Sequence, residues 1–107
     1  MRDLYYSRAG EPIPQEAALP LLGSVDERRV AGDDVVVWGE AELTVSTVHL
    51  VLDHNFGAGP PLIFETMVFP GADLWDRYST EEAALAGHAE CVDAVRAGTF
   101  PSLRAER

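Results

Sequence analysis

Apolar and polar residues alternate most cleanly in the middle of the chain. Residues 42–53, Glu42-Leu43-Thr44-Val45-Ser46-Thr47-Val48-His49-Leu50-Val51-Leu52-Asp53, are rich in β-branched side chains and predict a long strand. Residues 28–38, ending in Val35-Val36-Val37-Trp38, predict the strand before it. Gly39-Glu40 lies between the two, and glycine at the first central position suits a type II′ hairpin turn. Asn55-Phe56-Gly57-Ala58-Gly59-Pro60-Pro61 reads as a loop, with two prolines fixing the entry into a further strand at 62–69. Leu4-Tyr5-Tyr6 predicts a short strand that runs into a turn at Ala9-Gly10.

Two segments change period. Ala17, Ala18, Leu21 and Leu22 sit at helical spacing, predicting a helix over 15–23 with Pro14 in its first turn and Pro20 shortening it. Residues 71–78 read as a loop. Ser79-Thr80-Glu81-Glu82 then carries a capping-box spacing, Ser79 with Glu82, and opens a helix over 80–97. Its apolar side carries Leu85, His88, Cys91, Val92 and Val95, and Gly98 follows as a C-cap. The order is β-α-β-β-β-α. It predicts an α+β class, a small twisted antiparallel sheet with the C-terminal helix packed on one face. Residues 1–98 form one domain, and 99–107 a short C-terminal tail.

Strand alternation divides the sheet into two faces. One set, Val48, Leu50 and Leu52 with Leu62, Phe64, Thr66 and Val68, is expected beneath the helix. The other carries Val45, Thr47, His49, Val51 and Asp53 with Ile63, Glu65, Met67 and Phe69, joined by Trp38, a mix of polar groups and apolar side chains. That set is more apolar than a solvent face normally is, and predicts a partner-binding or homodimer face. The competing reading is that the N-terminal segment and the shorter helix cover it.

Composition narrows the classes. The chain has 107 residues and a formal net charge of −10, from 18 acidic and 8 basic residues. That excludes bulk-charge binding of a polyanion, so no direct nucleic-acid binding is expected. All the basic residues are Arg and none is Lys, as a GC-rich genome would produce. The charge is distributed along the chain, and a distributed negative surface raises the alternative of an acidic DNA-mimic inhibitor of a DNA-binding protein. Cys91 is the lone cysteine, which excludes an intrachain disulfide. With no apolar run of signal-peptide or membrane-span length, a cytoplasmic protein is expected, in the host cytoplasm if phage-encoded.

Candidate chemistry is sparse. His49 and Asp53 share a face but stand about 13 Å apart along a strand, too far for one metal. Asp53, His54 and Asn55 at the strand end, with Glu65 on the neighbour, are the loop-site candidates. They form the small metal or acid–base alternative at the 53–61 loop. A metal needs further ligands, and none is evident, so no cofactor, metal or catalytic residue is assigned. The competing role for Asp53, His54 and Asn55 is capping of the loop by side chain-to-backbone hydrogen bonds. Gly57-Ala58-Gly59 precedes a strand and lacks the helix a phosphate cradle needs. His88 and Cys91 read as core residues.

Residues 45–56 with 61–69, and Arg77-Tyr78-Ser79-Thr80-Glu81-Glu82-Ala83-Ala84-Leu85-Ala86-Gly87-His88, resemble small uncharacterised proteins of actinobacteria and their phages. Tyr5-Tyr6, Gly10, Pro12-Ile13 and Arg28-Arg29-Val30-Ala31 extend the resemblance over most of residues 3–95. The family has no assigned activity, so the resemblance implies no catalytic residue. It implies a phage or prophage setting. Together with the apolar second face, it leads to the expectation of a non-enzymatic accessory protein that binds a protein partner.

Overall fold

The computed structural model describes residues 4–98 apart from Gly39; the side chains of Asp33 and Trp38 also fall outside the description. Its elements are α1 (Gln15–Leu22), α2 (Val25–Arg28), β1 (Arg29–Trp38), β2 (Ala41–His49), β3 (Phe64–Phe69), β4 (Asp73–Tyr78) and α3 (Glu81–Arg96). The four strands form one antiparallel sheet in the order β1-β2-β3-β4, each joined to the next by a hairpin connection. Helix α3 packs across one face and contacts all four strands. The α+β class with a C-terminal helix on the sheet is as expected.

The first hairpin places Trp38 opposite Ala41, so residues 39 and 40 connect the strands. The type of that turn rests on Gly39 and lies outside the described residues. Strand β2 is shorter than its composition suggests. Val51 adopts φ +69°, which turns the chain after His49. Residues 50–54 continue as a link between two neighbours. Leu50 and His54 donate to the carbonyls of Ile63 and Leu62 on one side. On the other, Tyr6 donates to Val51 and Asp53 donates to Leu4. The predicted Leu4-Tyr5-Tyr6 strand is thus a short bridged segment that extends the sheet beyond the bend.

Three elements differ from expectation. Residues 73–78 form β4, not a loop. Its Asp73, Asp76 and Arg77 hid a strand whose core positions are only Trp75 and Tyr78, and a register shift against Thr66 and Met67 further breaks its alternation. Helix α2 is a single turn whose N-cap, Ser24, accepts from the Glu27 N–H. In α3 the cap is Thr80, accepting from the Ala83 N–H at 3.1 Å, so Ser79 stands one residue too early for that role. Gly98 follows α3 at φ +72°, the left-handed conformation of a helix stop.

The phase of the sheet faces is corrected by the strand register. Val45 pairs with Val68, Thr47 with Thr66 and His49 with Phe64, so these six share the covered face. Val48 pairs with Glu65 and Ser46 with Met67, so these lie on the open face. The covered face builds the main core, where Val36, Val45, Val68 and Trp75 meet Cys91, Val92 and Val95 of α3. A second cluster, Tyr6, Ile63, Phe64 and Ala84, seals the end where the N-terminal segment docks. Leu85, expected on the buried side of α3, is 46% exposed; Ala84 and Gly87 are buried in its place. Gly87 is required because a Cβ there would collide with the ring and hydroxyl of Tyr78.

Candidate functional site

The residues expected to form a partner face divide between three environments. Val51 and Ile63 are fully buried, so neither reaches a partner. Both lie beyond the bend at Val51, where the N-terminal segment and residues 62–63 enclose the chain from either side. The Trp38 side chain lies outside the described residues. Glu65, Met67 and Phe69 do lie on the open face, and they have company that the sequence did not suggest. Register puts Val35, Thr44 and Phe69 in one row, Ser46, Met67 and Leu74 in the next, and Val48, Glu65 and Arg77 in the third. Val35, Val37, Phe69 and Leu74 are all exposed large hydrophobic residues. The Glu65 carboxylate accepts from Arg77 Nε at 2.9 Å and closes the charged end of this surface. Leu74 was missed because its strand was missed. Val35 and Val37 were visible in sequence, but their alternation with the buried Val36 was obscured by the unbroken run of valines.

The loop-site residues do not converge. Asp53 is buried, and its Oδ1 accepts from the Asn55 N–H at 2.7 Å and the Leu62 N–H at 3.0 Å, tying both ends of the loop. Asn55 Nδ2 donates to the carbonyls of Ala58 and Pro60, and its Oδ1 accepts from Gly57 N–H. His54 Nδ1 is 2.9 Å from the Leu52 carbonyl. Glu65 is engaged with Arg77. Asp53 and Asn55 therefore act as the loop's internal scaffold. Among the described residues, no three metal-ligating side chains gather at one point. The scaffold presents Phe56 at 89% exposure.

The unexpected arrangement is a polar ladder under α3. His88 Nε2 donates to Asp34 Oδ2 at 2.7 Å, and His88 Nδ1 lies 2.7 Å from the Thr47 hydroxyl. Thr47 shares a 2.5 Å hydrogen bond with Thr66. With Nε2 protonated against the carboxylate, a neutral ring leaves Nδ1 to accept from Thr47, and Thr47 in turn accepts from Thr66. Asp34 reaches His88 because the β1–β2 register shifts on both sides of Ala31, re-aiming the strand there. An acid, a histidine and a hydroxyl in line have the outline of a nucleophilic triad. Here the hydroxyl end is sealed, since Thr47 and Thr66 are both fully buried. Both histidine nitrogens are also occupied, so the ring has no free nitrogen for a substrate. A groove of about 310 Å³, lined by Asp34 and Ala31 on β1 and by Leu85, His88, Val92 and Arg96 on α3, lies beside the Asp34–His88 contact.

Burial shifts three other groups of the core, Cys91, Tyr78 and His49, toward their neutral forms. Burial pushes the Cys91 thiol up to about 12. Such a thiol supplies almost no thiolate near neutral pH. Burial also raises the Tyr78 phenol to about 12, with the Thr66 hydroxyl opposing it weakly. The Tyr78 hydroxyl is enclosed with no hydrogen bond of good geometry. His49 is depressed, first by desolvation, with the Tyr6 carbonyl partly restoring it. Its Nε2–H donates to that carbonyl at 3.0 Å and its ring stands 5.3 Å from Phe64, so His49 fastens the N-terminal segment to β2.

Comparisons with protein-family models, with curated proteins and with solved structures return no match. Function therefore rests on the geometry above. No helix among the described residues is long and apolar enough to cross a membrane.

Proposed function

We propose that this protein is a non-enzymatic accessory protein, of the phage or prophage kind, that binds a protein partner through the open face of its sheet. The observation that carries the reading is the in-register cluster of Val35, Val37, Met67, Phe69 and Leu74 opposite α3. An apolar cluster of this kind on a small domain is a recurrent mark of an interaction site. It contains an aromatic residue and a methionine, types enriched at interface centres, and the Glu65–Arg77 pair supplies a polar rim. The phage setting rests on the sequence resemblance and the Arg-only basic composition.

The test is a capture experiment from an actinobacterial lysate with three baits: wild type, Phe69→Asp, and Phe56→Ala. One stoichiometric protein held by wild type and Phe56→Ala but lost with Phe69→Asp supports the face. Equal retention by Phe69→Asp and loss with Phe56→Ala transfers the site to the 53–61 loop and overturns the proposal. Displacement of the captured protein by duplex DNA would instead favour the acidic-mimic alternative.

A further inference from the structure

Leu85, His88, Val92 and Arg96 recur at helical spacing and form one stripe of α3. The stripe is one wall of the groove of about 310 Å³, and Asp34 stands on the other. That volume is at the lower end for a small-molecule site. The chemistry along the groove is ordered. At the His88 end is the Asp34 carboxylate, whose Oδ2 accepts from His88 Nε2 at 2.7 Å while its side chain stays 52% exposed. Buried His88 is held from behind by Thr47, so the carboxylate is fixed in place before any ligand arrives. Its Oδ1 has no hydrogen-bond partner among the described residues. Val92 follows along the helix, and then Arg96. Arg96 comes about two turns after His88, which separates their backbones by roughly 12 Å along the axis. Long side chains on a helix lean toward its N-terminus, and this shortens the gap. Among the described residues neither Asp93 nor Arg96 makes an ion pair. Leu85, exposed where the sequence pattern placed it in the core, is on the same wall.

We propose that this groove binds a small zwitterion, a short aliphatic chain with an ammonium group at one end and a carboxylate at the other. The ammonium donates to Asp34 Oδ1, the methylenes lie along Val92, and the carboxylate accepts from the Arg96 guanidinium. The order of the wall, anion then apolar surface then cation, selects this class of ligand. A plain cation would leave Arg96 unmatched. A plain anion would meet a lining in which Asp34 and Asp93 outweigh Arg96, on a chain of net charge −10. Hydrogen bonds between ionised groups are the strong kind, and one at each end fixes the ligand's direction. His88 is a positioning residue here, since both of its nitrogens are occupied within the protein. The groove is on the helix side of the sheet, so this site is separate from the open face and does not depend on that reading.

An NMR titration of the full chain with ε-aminocaproate tests this, with hexylammonium, hexanoate and leucine as comparison ligands. The expected result is a saturable shift of signals from Asp34 and from the Leu85–Arg96 stretch. ε-Aminocaproate should bind about tenfold more tightly than hexylammonium or hexanoate, the worth of one charge-assisted hydrogen bond. Leucine, whose two charges are adjacent, should bind more weakly than ε-aminocaproate. Asp34→Asn keeps an acceptor for His88 Nε2 and so keeps the fold, but should weaken ε-aminocaproate by about tenfold. Arg96→Gln should bring ε-aminocaproate down to the level of hexylammonium and leave hexylammonium itself no weaker. The absence of a saturable response at high millimolar ligand overturns the proposal. Equal binding of hexylammonium and ε-aminocaproate by wild type also overturns it, leaving a simple cation site. Tighter binding of leucine overturns the end-to-end spacing. A response that neither substitution changes places the ligand elsewhere and overturns the site.

Discussion

The two faces of the sheet reverse the usual association of polarity with exposure. The covered face holds Thr47, Thr66 and His49 among its fully buried side chains, and His88 reaches it from α3. The open face exposes Val35, Val37, Phe69 and Leu74. Burial on this fold is set by satisfaction, not by side-chain polarity. A threonine is inexpensive inside when its hydroxyl meets another hydroxyl and an imidazole nitrogen, and costly when it meets nothing. On the open side nothing forces the apolar residues out of water, so their presence calls for an explanation in function.

The largest expected effect comes from cutting the ladder on the covered face. His88→Ala removes the acceptor for Thr47 and the partner of Asp34, and leaves a void beneath α3. It should lower unfolding free energy by about 2–3 kcal/mol in urea denaturation. Replacing the whole ladder, Thr47→Val with Thr66→Val and His88→Leu, should recover most of that loss, because no buried group is then orphaned. If the triple variant is less stable than His88→Ala, the ladder contributes more than mutual satisfaction.

Gly87→Ala comes next. The added methyl would strike Tyr78, which packs directly on the glycine. Overpacking of this kind costs about 1–3 kcal/mol, against about 1 kcal/mol gained in helix propensity. A net loss of about 1 kcal/mol is expected in wild type. In a Tyr78→Leu background the same substitution should be neutral or stabilising, and a loss there would place the clash elsewhere.

A pH dependence tests the join between the covered face and the N-terminal segment. His49 titrates below its usual 6.5 in the folded chain because burial disfavours the cation. The unfolded chain therefore binds a proton first as pH falls through that value, so stability must decrease on the acid side and be fully present above it. His49→Phe should flatten the stability profile between about pH 7.5 and pH 5.5 relative to wild type. Identical slopes would remove His49 as a source of the acid sensitivity.

Much of this fold was legible in the sequence, and the failures have definite causes. β2 and α3 announced themselves because β-branched runs and spacings of three and four residues are local signals. Sheet-face phase was lost because alternation fixes the two sides of one strand, whereas matching sides between strands needs register. The bend at Val51 left no signature, since a valine at positive φ is dictated by its neighbours. Val51 was also lost to the partner face by phase, being in step with the covered Val45, Thr47 and His49, whereas Ile63 is buried where the N-terminal segment docks. Asp53 and Asn55 were readable as loop caps, whereas the Asp34–His88 contact joins residues 54 positions apart and had no local trace.

The smallest effect is the most informative about the open face. Phe69→Asp exchanges an exposed aromatic side chain for a charge at a position paired with Thr44. If the face is solvated in the isolated chain, unfolding free energy should change by no more than about 0.5 kcal/mol. Val37→Asp should behave the same way. Exposed apolar residues that contribute nothing to folding are retained for another reason, and a stability-neutral Phe69→Asp that loses its partner would identify that reason as binding. A loss of about 2 kcal/mol or more would instead mean that Phe69 is packed in the folded chain, of the order seen for a buried large side chain. The two faces would then differ in chemistry but not in role.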